Sequence, residues 1–240
     1  MRIRTLLFAV LAFALSACSA LAFGTWDTVR GNGTVRLESR AVASFNGITN
    51  QGSGLVRFSQ GPTRQVTVEA DTNILPYLET EVRNGVLVLR TRPGISINPT
   101  RLVFRITAPD LHIVGIQGSG DFRMETPLDA DRLEIEIEGS GSVGGEIDVD
   151  AVAAGIDGSG GISLRGVARL AEYDINGSGD IEAGDLSSVD ARVIIRGSGD
   201  VTLEATGTLD VEISGSGDVR YRGGAKVTVR DSGSGTVREY

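Results

Sequence analysis

The chain is poor in the residues that most protein chemistry needs. Its 240 residues include one cysteine, one histidine, one lysine, one tryptophan and six prolines. A single cysteine excludes an internal disulfide framework, and no Cys/His spacing for a metal site or phosphate-binding motif is present. Positive charge is also short: 23 basic against 31 acidic residues give a formal charge of −8. A nucleic-acid binder needs a basic face, so no nucleic-acid partner is expected. No apolar run reaches the roughly 20 residues of a membrane-spanning helix. Strands and glycines leave no stretch with a period of 3.6, which excludes a helical fold. With 40% hydrophobic and 22% charged residues the chain is nevertheless a folded one.

Glycine is the abundant residue, with 33 copies that lack the G-X-Y period of collagen. Gly-Ser-Gly occurs at 52–54, 118–120, 139–141, 158–160, 177–179, 197–199, 215–217 and 233–235. From the second copy on, the spacings are 21, 19, 19, 20, 18 and 18 residues. Ile116, Ile137, Ile156, Ile175, Ile195 and Ile213 stand two positions before the first glycine. Phe122, Val143, Ile162, Ile181, Val201, Val219 and Val237 stand two positions after the last. A flexible linker would not hold apolar residues at fixed offsets on both sides. Leu133-Glu134-Ile135-Glu136-Ile137-Glu138 alternates apolar and acidic residues, as does Leu209-Asp210-Val211-Glu212-Ile213. Each unit thus reads as a strand, a glycine corner, a second strand and a polar return. Units of this size match one coil of a parallel β-helix, in which equivalent residues stack about 4.8 Å apart.

Residues 24–110 are organised differently. Val35–Leu37, Leu55–Phe58 and Gln65–Glu69 alternate as short strands, and Arg101–Ile106 forms another before Ala108-Pro109. Leu78–Arg83 and Val86–Thr91 flank Asn84-Gly85, the dipeptide of a type I′ hairpin. This region is expected to cap the first coil, whose open edge would otherwise expose hydrogen-bonding groups and core side chains. The expected fold class is therefore all-β, an N-terminal strand and hairpin region capping a C-terminal parallel β-helix of 18–21 residues per coil.

The N-terminus reads as an address. Arg2 and Arg4 precede an apolar run from Leu6 to Leu15, the anatomy of a secretory signal. Leu15-Ser16-Ala17-Cys18 follows and resembles the bacterial lipobox, in which the cysteine is acylated and becomes the mature N-terminus. That resemblance implies lipid attachment at Cys18, a membrane partner through the anchor, and an exported envelope lipoprotein; Ser19 after the cysteine implies the outer membrane. Ordinary cleavage after Ala20-Leu21-Ala22 is the alternative. The resulting divisions are 1–17 signal, 18–41 linker and first strands, 42–110 N-terminal β region and 111–240 β-helix.

Phe45-Asn46-Gly47-Ile48, Val66–Glu69, the Asn84-Gly85 hairpin and Ile113–Asp121 follow one another in a familiar order. Over about residues 42–225 the chain resembles the head GIN domain family, which carries an adhesin label and no established activity. The resemblance implies a β-helical fold and an envelope location. The sequence up to Tyr240 holds no set of strands for a barrel translocator, which needs at least eight of about ten residues each, so anchoring is expected to fall to Cys18.

Candidate sites are few. Asp121, Asp180, Asp200 and Asp218 follow their Gly-Ser-Gly corners and would stack as an acidic row. Such a row could hold calcium, but Ser142, Gly161 and Thr236 interrupt it, and turn aspartates bonded to nearby amides explain it better. Glu134, Glu136, Asp148 and Asp150 alternate as surface residues do. His112, between Leu111 and Ile113, reads as a strand residue rather than a base. No catalytic residue, cofactor or metal ligand is assigned. The function expected is an envelope-anchored, non-catalytic interaction module for a protein or glycan partner. The alternative is a carbohydrate-active lyase or hydrolase on the same scaffold, which a polar cleft with clustered acid and base would favour. Residues 231–240, where Asp231 replaces the isoleucine, are expected to close the far end.

Overall fold

The computed structural model describes residues 27–240, so Cys18 and both cleavage sites lie outside the described residues. The N-terminal part holds β1 (Asp27–Arg30), β2 (Val35–Arg40), β3 (Gly47–Asn50), β4 (Leu55–Gln60) and β5 (Gln65–Asp71). After a single 3₁₀ turn at Leu75–Tyr77 come β6 (Leu78–Arg83), β7 (Val86–Thr91), β8 (Ile95–Asn98) and β9 (Leu102–Ala108). The coils follow as β10 (Ile113–Gly118), β11 (Asp121–Met124), β12 (Leu128–Gly139), β13 (Ser142–Gly158), β14 (Gly161–Gly177), β15 (Asp180–Gly197) and β16 (Val201–Gly215). The last elements are β17 (Val219–Arg222), β18 (Lys226–Asp231) and β19 (Val237–Glu239).

These strands stack as a parallel β-solenoid of about seven turns. One face runs β7, β3, β10, β12, β13, β14, β15, β16, β18, every neighbour parallel. The other runs β9, β4, β11, β13, β14, β15, β16, β17, β19, again parallel. The long strands β12–β16 bend around one edge of the rod, and the Gly-Ser-Gly corners turn the other. The isoleucines read from the sequence lie one on the next, from Ile116 through Ile137, Ile156, Ile175 and Ile195 to Ile213. All six are buried. Phe122, Val143, Ile162, Ile181, Val201 and Val219 form the second column, also buried.

The corners need glycine on two counts. Gly197 has a φ of 150°, and a Cβ on it would sit 2.0 Å from the carbonyl oxygen of Gly177 one coil earlier. That carbonyl is occupied by the Ser198 amide at 2.8 Å, and the same bond joins Ser216 to Gly197 and Ser234 to Gly215. Coils therefore touch backbone to backbone at this edge, which any side chain would force apart.

Both ends break the isoleucine column with a polar residue. Asn50 pairs with Ile116 and is fully buried, its amide donating to the Gly54 carbonyl at 2.7 Å. At the other end Asp231 pairs with Ile213, and its carboxylate accepts the Gly233 amide at 2.7 Å. The N-terminal cap adds antiparallel layers: β5 on β9, β2 on β5, and β6 on β7. Asn84 (φ 50°) and Gly85 (φ 81°) make the type I′ turn of that last hairpin. Asp71, fully buried, pins the chain entry by accepting the Gly33 amide (2.8 Å), the Thr100 amide (2.8 Å) and the Thr100 hydroxyl (2.7 Å). Burial pushes its pKa up, but the Thr100 hydroxyl and the Thr100, Gly33 and Arg101 amides outweigh it and hold the carboxyl below the usual range.

At the C-terminal end Arg222 spans three coils. Its Nε donates to Glu204 at 2.8 Å and its Nη2 to the Gly184 carbonyl at 2.6 Å, while the Tyr240 ring lies over the guanidinium at 5.8 Å. The Tyr240 hydroxyl occupies the space that a side chain at position 184 would fill.

Candidate functional site

The aspartate row forms, and its partners are now visible. Asp121 accepts the Ser142 hydroxyl at 2.6 Å and the Ser142 amide at 3.2 Å. Asp180 accepts the Asp200 amide at 3.0 Å, and Asp200 the Asp218 amide at 2.8 Å. Asp218 accepts the Thr236 amide and hydroxyl at 2.9 and 2.8 Å. The amides belong to the following coil rather than to each aspartate's own turn, so the row ties coil to coil. Asp190 repeats the device at the opposite edge, taking the Thr208 amide and hydroxyl at 3.1 and 2.6 Å. Among the described residues no three His, Cys, Asp or Glu side chains are grouped to hold a metal ion. His112 precedes β10, and its Nδ1 lies 3.1 Å from the Arg132 carbonyl oxygen.

The face before the corners is acidic. Glu134, Glu136 and Glu138 project from β12, and β13 and β14 add Asp157, Glu172 and Asp174 in the neighbouring register. The Glu136 carboxylate leans into the space that a side chain at Gly155 would take. Partial burial pushes its pKa up, and Asp157, Glu134, Asp174 and Glu138 push it the same way. Asp148 and Asp150 lie apart from this cluster, at the bend opposite the glycine corners, beside Asp129 and Asp131.

The face after the corners is not flat. Its coils place Arg123, Gly144, Ser163 and Glu182 in register along the rod, so side chains vanish at β13. Gly161 widens the gap, whereas a side chain at Gly145 would point inside the rod, into the space that Met124 fills. The result is a groove of about 540 Å³ between Arg123 and Glu182, with Asp180 and Arg165 on its walls. Past Arg165 it opens into a second hollow of about 330 Å³ that reaches Thr202 and ends at Tyr240. Sequence reading passed over this groove. The signal was present in Gly144 and Gly161, two of the glycines that fall outside the corner motif.

Most carboxylates on this face already have partners. Glu125 pairs with Arg57 at 3.0 Å, Glu146 with Arg165 at 3.2 Å and Glu204 with Arg222 at 2.8 Å, while the corner aspartates hold amides. Fold and site together define a capped parallel β-solenoid with a polar groove along one face.

The chain belongs to the family described as "Putative auto-transporter adhesin, head GIN domain", whose profile matches residues 44–225. An adhesin-type family points to an extracellular or envelope protein. Solved structures agree over nearly the whole described length. A putative adhesin from Bacteroides fragilis superposes with a TM-score of 0.85 at 25% identity, covering 88% of this chain and 100% of that one. A putative lipid binding protein from Parabacteroides distasonis gives 0.77 at 25% identity, covering 89% and 99%. A putative adhesin from Parabacteroides merdae gives 0.71 at 26%, again covering 89% and 99%. No curated protein matches the chain.

Proposed function

We propose that the protein is a non-catalytic binding module of the cell envelope, anchored through Cys18, that takes an extended, hydroxyl-rich ligand of the glycan type in the groove. The observation that carries this reading is the composition of the groove. Arg123, Asp180, Glu182, Ser163 and Thr202 supply donors and acceptors of both signs, and the Tyr240 ring stands at one end. A polar, open channel of this kind suits a chain of hydroxyls better than a compact apolar molecule. The described strands hold the groove rigid, so little ordering is required on binding.

The enzymatic alternative draws on the same walls, since acid and base do meet in the groove. Its weakness is that Asp180 and Arg165 are engaged in bonds that hold the coils, with the Asp200 amide and with Glu146. A general acid and base must be free to exchange protons with substrate. The test is retention of envelope polysaccharide on immobilised protein, with Arg123→Ser and Glu182→Ser as groove variants. Retention lost in the variants, with the polysaccharide eluted at unchanged size, supports the reading. Shortened or unsaturated products would establish the lyase or hydrolase instead. Retention unchanged in both variants would place the ligand elsewhere.

A further inference from the structure

We propose that the N-terminal end of the rod docks on an anionic lipid surface, with Val35 and Leu37 entering the headgroup layer and Arg36 and Arg101 facing lipid phosphates. The inference extends the anchoring at Cys18 proposed above. Among the described residues β2 pairs only with β5, so it forms the outermost strand of the cap on the groove side. Two apolar side chains stand exposed on it, Leu37 at 58% and Val35 at 40%. Leu37 lies directly opposite Glu69, whose carboxylate is held by Arg101 and, at 2.9 Å, by Arg105. The Arg101 contact, then that of Arg105, outweighs partial burial and keeps Glu69 below the usual carboxylate range. A hollow of about 510 Å³ joins Leu37 to Arg57 and Arg105. Apolar residues ringed by guanidinium groups are what an interface of acyl chains and phosphates accommodates.

Charge along the rod points the same way. Residues 27–110 carry 10 basic and 7 acidic side chains, a net of +3. Residues 111–217 carry 6 basic and 21 acidic, a net of −15, and residues 218–240 carry 5 basic and 3 acidic, a net of +2. An anionic surface attracts the ends and repels the middle, so the rod stands upright with the groove clear of the membrane, and the tether at Cys18 selects its N-terminal end. The tether fits this posture. Eight residues lie between Cys18 and Asp27, a reach of about 30 Å at most. The Asp71 hub then fixes Gly33 and sets Val35 opposite Asp71 at the point of entry. A second copy of the chain is the less fitting occupant. Arg36, Glu38 and Arg40 alternate along β2 and discourage edge-to-edge pairing.

The test uses the unacylated chain from Ser19, which carries every described strand, so its outcome is independent of lipid attachment. Sedimentation with vesicles of phosphatidylcholine alone is compared with vesicles that also contain phosphatidylglycerol. Binding is expected only to the mixed vesicles and to weaken with salt. Arg36→Gln and Arg101→Gln should each lower partition about fivefold, and Leu37→Asp should lower it further. Val229→Asp, at the opposite end and also exposed, should leave it unchanged. Equal binding to neutral vesicles, partition indifferent to the cap variants, or an equal loss in Val229→Asp would overturn the proposal. A dimer in light scattering that Leu37→Asp dissolves would overturn it too, in favour of a second copy. Failure of the Cys18 anchor is read separately, from an unmodified Cys18 in membrane-extracted protein.

Discussion

The carboxylate of Asp218 accepts both the amide and the hydroxyl of Thr236, at 2.9 and 2.8 Å, across the step between two coils. The Thr236 hydroxyl and then its amide hold the Asp218 pKa below its ordinary value. A carboxyl with a folded-state pKa below its unfolded one adds stability above the unfolded pKa and loses it as pH falls through the folded one. Asp218→Asn and Thr236→Val should therefore loosen the last coil at neutral pH. The difference from the parent chain should fade in acid, below the unfolded aspartate pKa of about 3.9. Amide exchange of β19 against pH reads this directly, and a difference that persists undiminished in acid would contradict it.

Glycine substitutions should separate sharply by position. A Cβ on Gly199 would lie 1.9 Å from the Gly179 carbonyl oxygen, whereas one on Gly161 meets nothing within 4 Å. Gly199→Ala is expected to cost several kcal/mol, on the order of the larger destabilisations known for single changes. Gly161→Ala should stay within about 0.5 kcal/mol. Denaturant melts of the two variants give the comparison.

The isoleucine column predicts a cavity cost. Ile175 is fully buried between Ile156 and Ile195. Ile175→Ala should cost about 3 kcal/mol, a fall of about 6–12 °C in Tm for a chain of this size. Ile194, one position before Ile195, projects from the opposite side of its strand beside Arg192, at the rim of a shallow hollow on the acidic face. Ile194→Ala should cost clearly less, and equal losses would contradict the assigned alternation.

Residues 231–240 are expected to close the rod. Their removal deletes β19, uncovers Val219 and Ile213, and takes away the Tyr240 ring from Arg222. The shortened chain should aggregate or associate end to end in light scattering. A monodisperse truncated protein of unchanged Tm would contradict the cap, as would self-association of the full chain through this end.

Much of this fold was legible in the sequence because a solenoid repeats its instructions. Ile116 through Ile213 could be stacked from offsets alone, since each coil places its isoleucine at the same distance from a glycine corner. The same offset leads to Asn50, two positions before Gly52, and marks the first coil. The aspartates were legible as a row but not as ties between coils, because Asp200 and the Asp218 amide meet only once the register is fixed. The pairing of β1 with β8 has no local signature: Asp27 meets Ile95 across a long stretch of chain with no turn to announce it. The groove was hardest to foresee. It is made by side chains that are missing at Gly144 and Gly161, and a missing side chain shapes a surface only after the face it belongs to is known.

The central claim is that the groove face, and not the acidic face, meets the ligand. A photo-crosslinking residue placed at Ser163, on the groove floor, and another at Ala153, on the acidic face, can be compared in intact cells. The account predicts a discrete high-mass adduct from position 163 that Arg123→Ser abolishes, and none from position 153. Adducts from position 153 alone, or equally from both positions, would contradict it.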